Sequence, residues 1–277
     1  MQTLTARGMT MPKLGLGTFR MTGAACTEGV LSALELGYRH IDTAQMYGNE
    51  AEVGAALAAS PVPRGDIHLT TKVWWENLAP AAMRAAMEAS LTKLGTAYVD
   101  LYLIHWPSPQ MDLPAALETL VKLRDEGLAR HIGVSNFTAA LLRRTVEEIG
   151  APIVCNQVEY HVLLDQTKVL DYCRAHDIAV TAYCPLARGG LGVWPGLAES
   201  AARHGAAPEQ VALQWLLEQP GVAAIPKASQ AKNQKANFDA QRLVLTDADR
   251  AAIAALPKNQ RIVNPGMAPA WDAPVGV

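Results

Sequence analysis

Residues 98–106 read YVDLYLIHW, and within this stretch Val99–Ile104 is apolar at every position except Asp100. A β-rich run without regular alternation of polar and apolar residues predicts a strand buried on both faces, as in a parallel sheet covered by helices. Comparable runs recur along the chain. The eight candidate strands are Leu14–Thr18, His40–Asp42, Ile67–Val73, Tyr98–Trp106, His131–Ser135, Ile153–Glu159, Ala179–Cys184 and Val222–Pro226.

Helical patterns separate these runs. In the clearest one, apolar residues recur every third or fourth position and form a single stripe, with charged residues elsewhere on the helix surface. The three strongest patterns cover Pro80–Leu94, Pro114–Gly127 and Pro208–Leu217.

Eight strand–helix units in 277 residues predict one (β/α)₈ TIM barrel, with its active site at the carboxyl ends of the strands. A doubly wound open sheet is the alternative. It is disfavoured because the only near-match to its glycine fingerprint, beginning at Gly15, has Arg20 in the place of the third glycine.

Two segments depart from the repeat. Residues 185–196, PLARGGLGVWPG, are rich in glycine and predict a long loop at the open end of the barrel. From about residue 257 to 277, four prolines and little periodicity predict an extended tail. We expect this tail to be ordered because Trp271 and Ile262 favour burial, with a frayed terminus as the alternative. No linker interrupts the chain, so residues 1–277 are expected to form one domain.

The composition disfavours several classes of protein. The net charge of −2 and the pI near 6.4 give no support for binding nucleic acid or an anionic membrane. The N-terminal residues contain no apolar stretch long enough for a signal peptide, and no window approaches about 18 unbroken apolar residues, so a cytoplasmic location is expected. Cysteines stand far apart, which predicts reduced thiols rather than disulfides or a zinc site. They are Cys26, Cys155, Cys173 and Cys184.

Four chemically useful side chains fall at or just after the predicted strand ends: Asp42, Tyr47, Lys72 and His105. Reduction of a carbonyl group requires a hydride on carbon and a proton on oxygen. Tyr47 could donate that proton, and Lys72, held by Asp42, could lower the pKa of Tyr47. His105 could hydrogen-bond the carbonyl oxygen.

Each residue also has an ordinary structural explanation. Asp42 could cap a helix, Tyr47 could be a loop aromatic, and Lys72 could extend its ammonium group to solvent. His105 could be a satisfied structural histidine. Their occurrence together at successive strand ends favours the catalytic interpretation.

Ordered motifs along nearly the whole chain resemble those of the aldo-keto reductases. They are LGLGTF, HIDTAQMYGNE, LTTKVW, YVDLYLIHWP, IGVSNF, NQVEYH, AYCPLARG and AIPKASQ, from about Met11 to Trp271. The resemblance implies a barrel that binds NADPH without a Rossmann unit. It also implies that Asp42, Tyr47, Lys72 and His105 occupy the catalytic positions of the family.

The same resemblance assigns a cofactor site. Ser135, Asn136 and Gln157 would hold the nicotinamide carboxamide, although helix capping explains Ser135 and Asn136 equally well. Tyr183 would stack on the nicotinamide ring, with an ordinary barrel aromatic as the alternative. The implied cofactor residues are Gly17, Thr18, Asp42, Ser135, Asn136, Gln157, Tyr183, Pro185, Leu186, Lys227, Ala228, Ser229, Gln230, Asn233 and Asn237.

The adenosine end departs from the family pattern. Many relatives have serine where this chain has Ala228, and arginine where it has Asn233. The arginine that usually clamps a 2′-phosphate is therefore missing. Lys227, Lys232 and Lys235 could still neutralise a phosphate, so NADPH is expected and NADH is possible.

The substrate site is expected to be aromatic. Phe19, Trp74 and Trp106 would line the pocket around Tyr47 and His105, and Trp75 either joins them or packs in the core. The final stretch, QRIVNPGMAPAWD, resembles the bacterial 2,5-diketo-D-gluconate and methylglyoxal reductases of this family. Small aldehydes, ketones, α-dicarbonyls and oxidised sugars are the expected substrates, and a monomer is the expected assembly.

Two other functions compete with carbonyl reduction. One is a barrel that binds the cofactor only to sense redox state or to act as a scaffold, which an intact set of four catalytic residues argues against. The other is a metal-dependent barrel hydrolase. His40 and Asp42 are two residues apart, but the remaining histidines are dispersed and no metal site is expected.

Overall fold

The computed structural model describes residues 2–275 of the chain. Eight of its strands run parallel in one sheet, and each pairs with the strand that follows it in the sequence. The prediction of a (β/α)₈ barrel is confirmed. These strands are β3 (Leu16–Gly17), β4 (His40–Asp42), β5 (His68–Val73), β6 (Val99–Ile104), β7 (Ala129–Ser135), β8 (Cys155–Glu159), β9 (Ala179–Tyr183) and β10 (Val222–Ala224).

The sheet closes between its first and last strands. Leu14 pairs with Ala224 and Gly17 pairs with Lys227, both in parallel bridges. A glycine is needed at position 17 because an added Cβ would lie only 2.7 Å from the backbone oxygen of Ile225. Strands β3 and β10 are shorter than the predicted runs Leu14–Thr18 and Val222–Pro226, because single bridges rather than continuous pairing close the barrel.

A hairpin that the sequence analysis did not predict precedes the barrel. Strands β1 (Thr3–Ala6) and β2 (Met9–Pro12) pair in antiparallel fashion. Their buried side chains, which include Met9 and Met11, form one apolar cluster with Leu101 and other barrel residues. The hairpin therefore packs on the core instead of projecting into solvent.

Helices surround the barrel. The helix over Pro80–Leu94 has the predicted bounds, and the predicted helices beginning near residues 113 and 208 are present. The ten α-helices are α1 (Gly23–Leu36), α2 (Glu50–Ala59), α3 (Pro80–Leu94), α4 (Leu113–Asp125), α5 (Ala139–Arg143), α6 (Thr167–Ala175), α7 (Pro195–His204), α8 (Pro208–Glu218), α9 (Ala231–Asp239) and α10 (Asp247–Ala254), counted over residues 2–275.

The glycine-rich segment is less extended than predicted. A 3₁₀ turn covers Leu191–Val193, and α7 begins at Pro195, inside the stretch expected to be loop. Proline suits this position because the first helical residue needs no backbone N–H donor. Only residues 185–190 remain as an irregular loop at the mouth of the barrel.

The C-terminal segment contacts the barrel as an irregular chain, and Ile262 and Trp271, which were expected to be buried, are half-buried. Asn259 forms an antiparallel bridge with Leu164. Trp271 lies with its ring centroid 6.0 Å from that of Trp106, and its indole Nε1 donates to Asn264 Oδ1 at 2.9 Å. We call residues 259–275 the C-terminal tail. Across residues 2–275, every helix is too short or too polar to cross a membrane.

Candidate active site

The four predicted catalytic residues converge at the carboxyl end of the barrel. Asp42 is the last residue of β4, and Lys72 is the penultimate residue of β5. His105 follows β6 directly, while Tyr47 ends the 3₁₀ turn that continues from β4. Adjacent strand ends bring residues distant in sequence together, as expected for an active site in this fold.

A buried ion pair forms the base of this cluster. Lys72 Nζ donates to Asp42 Oδ1 at 2.5 Å and to the Thr43 carbonyl at 2.8 Å, and Lys72 is fully buried. The other carboxylate oxygen of Asp42 accepts from Gln157 Nε2 at 2.8 Å. Burial lowers the pKa of Lys72, and the Asp42 carboxylate opposes that change. Asp42 thus holds the ammonium group in one place.

Tyr47 lies above the ion pair. Its hydroxyl is 3.4 Å from Lys72 Nζ, and its ring centroid is 5.0 Å from the same atom. Burial, followed by the nearby Asp42 carboxylate, raises the pKa of Tyr47 well above its usual value. The net pKa is therefore raised despite the nearby Lys72 ammonium group, and the lowering expected from Lys72 stays a prediction. Tyr47 keeps its proton at neutral pH.

His105 forms the adjoining wall. Its ring centroid lies 5.5 Å from that of Tyr47 and 5.3 Å from that of Trp74, both edge to face. Burial, reinforced by the Lys72 charge, lowers the pKa of His105 well below its usual value, so the imidazole is neutral. Nδ1 is buried without a hydrogen-bond partner in the described chain, which leaves Nε2 for a ligand.

A cavity of about 790 Å³ opens over this cluster and extends toward α9. Its volume lies within the range of small-molecule and cofactor sites. It is lined by fourteen of the residues assigned from the sequence. They are Gly17, Phe19, Asp42, Tyr47, His105, Trp106, Asn136, Gln157, Tyr183, Pro185, Leu186, Lys227, Asn233 and Asn237.

Seven assigned residues do not line the cavity but lie behind or beside it. Thr18 donates from its hydroxyl to the Asp42 carbonyl at 3.0 Å, and Ser135 donates to the Gln157 carbonyl at 2.8 Å. Ala228 is buried in the core. The other four are Lys72, Trp74, Ser229 and Gln230.

The middle of the cavity carries two amide side chains and a phenol. Asn136 donates to the His105 carbonyl at 2.9 Å and accepts from the Tyr183 hydroxyl at 2.7 Å. Its backbone has φ of +64°, a strained value for a residue other than glycine. Gln157 is fixed through Asp42. Amide groups beside an aromatic ring fit a flat heteroaromatic ring that bears a carboxamide.

The far end of the cavity is polar and less enclosed. Lys227 and Asn233 are exposed, and Asn237 is buried. Lys235 is engaged in an ion pair with Asp239. These side chains fit a phosphorylated or hydroxylated group, so the cavity as a whole fits an extended dinucleotide.

Comparison with known proteins agrees with this geometry. A model of the Aldo/keto reductase family matches residues 13–258. The chain belongs to this family. The reductase is therefore an oxidoreductase that acts on carbonyl compounds with a nicotinamide cofactor.

Individual relatives cover almost the full length of the reductase. Methylglyoxal reductase DkgB of Salmonella typhi is 44% identical over 268 residues, spanning 95% of this chain and 100% of that protein. An aldo-keto reductase of Mycolicibacterium smegmatis is 40% identical over 256 residues, spanning 92% and 93%. A crystal structure named for 2,5-diketo-D-gluconic acid reductase B has a TM-score of 0.95 at 44% identity and covers 99% of this chain and 98% of its own.

The cavity of the reductase also contains residues that the sequence analysis did not select. Arg20 and Arg188 line it, both with positive φ, and Cys184 lies between β9 and the mouth loop. Val263 reaches it from the C-terminal tail. Arg20 directly follows the LGLGTF motif, and Arg188 lies in the glycine-rich segment, so the neighbouring sequence could have pointed to both residues. No local pattern could have pointed to Val263, because its position at the cavity depends on a contact between distant parts of the chain.

Proposed function

We propose that this reductase converts small aldehydes, ketones and α-dicarbonyls to alcohols with NADPH, and that Tyr47 is the proton donor. The observation that carries the proposal is the chain of contacts from Asp42 through Lys72 to Tyr47, which ends at the cavity. A binding protein has no need for a buried ammonium group behind a tyrosine, because burying that charge is costly.

The cofactor would supply a hydride to the carbonyl carbon. As the carbonyl π bond breaks, the substrate oxygen takes the hydroxyl proton of Tyr47. The raised pKa of Tyr47 keeps this group protonated at neutral pH, so the donor is ready when substrate binds. The phenolate that remains gains the attraction of Lys72, whose contact with the oxygen would shorten from 3.4 Å.

The other two of the four proposed catalytic residues, Asp42 and His105, would orient the reacting groups. Asp42 fixes Lys72, so the ammonium group does not have to reorganise during the reaction. The neutral imidazole of His105 would donate a hydrogen bond from Nε2 to the substrate oxygen. This bond would hold the carbonyl group near the Tyr47 hydroxyl.

Cofactor binding follows the length of the cavity. Asn136 and Gln157, supported from behind by Ser135, would hold the carboxamide, and Tyr183 would stack on the nicotinamide ring. Toward the other end, Pro185, Leu186 and Lys227 would contact the remainder of the cofactor, with Gly17 beside Lys227 at the bridge that closes the barrel. Thr18, Ala228, Ser229 and Gln230 do not line the cavity and would support these residues from beside it.

The polar end of the cavity, which would hold the 2′-phosphate of the cofactor, favours NADPH but also allows NADH to bind. Lys227 lines the cavity and can neutralise a 2′-phosphate, with Lys232 nearby on α9. Lys235 is less available because Asp239 pairs with it. Asn233 cannot form the two charged hydrogen bonds that arginine would offer. We therefore propose a preference for NADPH that is modest in size.

The substrate class rests on two supports. Phe19, Trp74 and Trp106 place aromatic surface around Tyr47 and His105, which suits a small carbonyl compound with little charge. The similar proteins are named for methylglyoxal and for 2,5-diketo-D-gluconic acid. We propose α-dicarbonyls of this kind as preferred substrates of one barrel domain that acts as a monomer.

The test is steady-state oxidation of NADPH and, separately, NADH by the purified protein. The substrates are methylglyoxal, 2,5-diketo-D-gluconate and a simple aromatic aldehyde. Tyr47→Phe should lower kcat by roughly 10²–10⁴-fold and leave NADPH affinity within about twofold, because it removes the proton donor and little else. Cofactor affinity is measured by quenching of protein fluorescence.

Tyr102→Phe is the matched control. Tyr102 is fully buried in β6, and its hydroxyl has no partner among residues 2–275. The same atom is removed away from the cavity, so activity should stay at the wild-type level. Normal turnover by Tyr47→Phe would show that the acid is misassigned. Tight NADPH binding without turnover of any carbonyl would favour a sensing or scaffold role.

A further inference from the structure

The buried carboxylate of Glu159 lies at the end of β8 and takes no part in the chemistry above. Both of its oxygens accept hydrogen bonds from the C-terminal tail: Oε1 from the backbone N–H of Ile262 at 2.7 Å, and Oε2 from that of Val263 at 2.8 Å. Glu159 is completely buried. Charge-assisted bonds of this kind are stronger than those between neutral groups.

His161 completes the arrangement. Its Nε2 lies 3.0 Å from Glu159 Oε1, and its Nδ1 accepts from the backbone N–H of Leu163 at 3.3 Å. Because Nδ1 is an acceptor, the proton of a neutral imidazole must be on Nε2, where it is donated to Glu159. The Glu159 carboxylate is therefore held by a barrel residue on one side and bonded to the tail on the other.

The tail segment that Glu159 holds forms part of the cavity wall. Val263 lines the cavity, and so does Trp106, on which Trp271 of the tail packs. The Arg261 guanidinium lies 3.7 Å from the Trp271 ring centroid and 3.9 Å from Glu159 Oε2. A displacement of residues 261–263 would therefore move one wall of the cavity.

We propose that Glu159 is a positioning residue that determines specificity: it seats the C-terminal tail against the barrel mouth and so gives the pocket a fixed wall for larger carbonyl substrates. It does not touch the reacting atoms. Methylglyoxal, which fits near Tyr47 and His105, should need this wall little. An aromatic aldehyde, whose ring must pack on Val263 and Trp106, should depend on it.

The first test separates KM from kcat. Glu159→Gln should raise KM for an aromatic aldehyde by about tenfold, since a pocket that loses packing on a substrate group discriminates by amounts of this order. KM for methylglyoxal and kcat for both substrates should stay within about twofold of wild type. This kinetic arm rests on the proposed function.

The second test needs no activity. Trypsin should cleave the wild-type protein slowly after Arg261, because its side chain is stacked on Trp271 and mostly buried. In Glu159→Gln that cleavage, followed by mass spectrometry, should be at least about tenfold faster because the tail opens more often. Faster cleavage with no carbonyl turnover by the wild type would sink the proposed function and leave the seating role intact.

Asp249→Asn is the matched control for loss of a buried carboxylate. Asp249 is also fully buried and accepts from a backbone N–H and from His204, but it caps α10 and does not line the cavity. Asp249→Asn should change neither the ratio of KM for the aromatic aldehyde to KM for methylglyoxal nor the rate of cleavage after Arg261. Equal changes in both variants would reduce the role of Glu159 to general stability and overturn the proposal.

Ile262→Pro tests the same contact from the tail. It removes the N–H that Glu159 Oε1 accepts and leaves the barrel unchanged, so it remains informative if Glu159→Gln does not fold. The expected result is the same rise in KM for the aromatic aldehyde and faster cleavage after Lys258. A wild-type KM ratio together with wild-type cleavage would contradict the proposal.

Discussion

Two clusters built from an aspartate, a tyrosine and either one or two cations lie at opposite ends of the barrel. At the carboxyl end, Lys72 is fully buried between Asp42 and Tyr47 and lies 5.0 Å from the tyrosine ring centroid. Within the described chain, Lys72 is the only hydrogen-bond partner of the Tyr47 hydroxyl, at 3.4 Å. The hydroxyl therefore has capacity for a bond to a ligand.

At the amino end the same residue types are arranged for stability. Arg64 and Arg130 lie 4.4 Å and 4.1 Å from the ring centroid of Tyr98 and both pair with Asp100. The Tyr98 hydroxyl accepts from Arg130 at 2.9 Å, and the Arg130 side chain is 49% exposed. Solvent screens the charge of Arg130, and none of these four residues lines the cavity of the active site.

The difference between the clusters lies in burial and in unused hydrogen-bonding capacity. The proposed proton donation by Tyr47 requires both that the cation is shielded from water and that the hydroxyl faces an open cavity, and only the carboxyl-end cluster meets these conditions. At the amino end of a barrel, polar groups of the same kind contribute to folding, in accord with the division of roles in this fold.

The largest effect is expected from a substitution that disrupts the carboxyl-end cluster. Lys72→Met should lower kcat by roughly 10²–10⁴-fold, because the phenolate formed on Tyr47 loses its counter-charge. Arg130→Met, the equivalent change at the amino end, should leave kcat within about twofold. Both are measured by NADPH oxidation with methylglyoxal. Similar losses in the two variants would contradict the division between the ends.

The next effect is on acid stability. His40 and His68 lie near the amino end with ring centroids 4.9 Å apart, and the Nε2 atom of each is buried without a partner among residues 2–275. Burial lowers the pKa of both, that of His68 strongly. The unfolded chain takes up protons below about pH 6.5 and the folded chain does not, so stability falls with pH.

The expected loss is about 1.4 kcal/mol in the free energy of unfolding per histidine that stays neutral when pH falls from 7.5 to 5.5. Urea denaturation at the two pH values measures it. His105 at the carboxyl end, whose pKa burial also lowers, adds to the same dependence of stability on pH. His68→Asn removes one histidine at the amino end only, so the stability of this variant should depend less steeply on pH. An unchanged slope in that variant would contradict the assignment.

A smaller effect concerns the phosphate end of the cavity. Asn233→Arg should raise the ratio of kcat/KM for NADPH to that for NADH by about tenfold, because a charged hydrogen bond to the 2′-phosphate is restored. Asn233→Gln, which extends the side chain without adding charge, is the control. If arginine leaves the ratio unchanged, the 2′-phosphate binds elsewhere.

The smallest effect concerns Tyr98. Tyr98→Phe removes the hydroxyl that accepts from Arg130, so it should cost about 1 kcal/mol or less of stability. Catalytic constants should match those of the wild type, in contrast to Tyr47→Phe. Thermal denaturation and the NADPH assay provide the two measurements. A large loss of activity would mean that the amino end also acts on the site.

Local sequence patterns predicted much of this architecture. Helix α3 has the predicted bounds because Pro80 suits a first turn and Gly95 adopts the left-handed conformation that ends a helix. Asp42, Lys72 and His105 could be selected because each polar group ends an apolar run, and strand ends share one edge of a barrel.

Features that depend on distant contacts could not be predicted. Strands β1 and β2 have four residues each, too few for a distinct alternating pattern. The bonds from Glu159 to the tail join residues about a hundred positions apart. The direction of the pKa change of Tyr47 depends on how deeply its ring is buried relative to the nearby charges, which only the folded structure contains.

The closure of the barrel has a consequence for the order of folding. Gly17 on one side of the seam and Pro226 and Lys227 on the other all line the cavity. A nascent chain therefore has no complete cavity until the last barrel strand has been synthesised and has paired with the first. A ligand that binds this cavity can stabilise only the closed barrel, so it should act late in folding and shift the equilibrium toward the closed state by mass action.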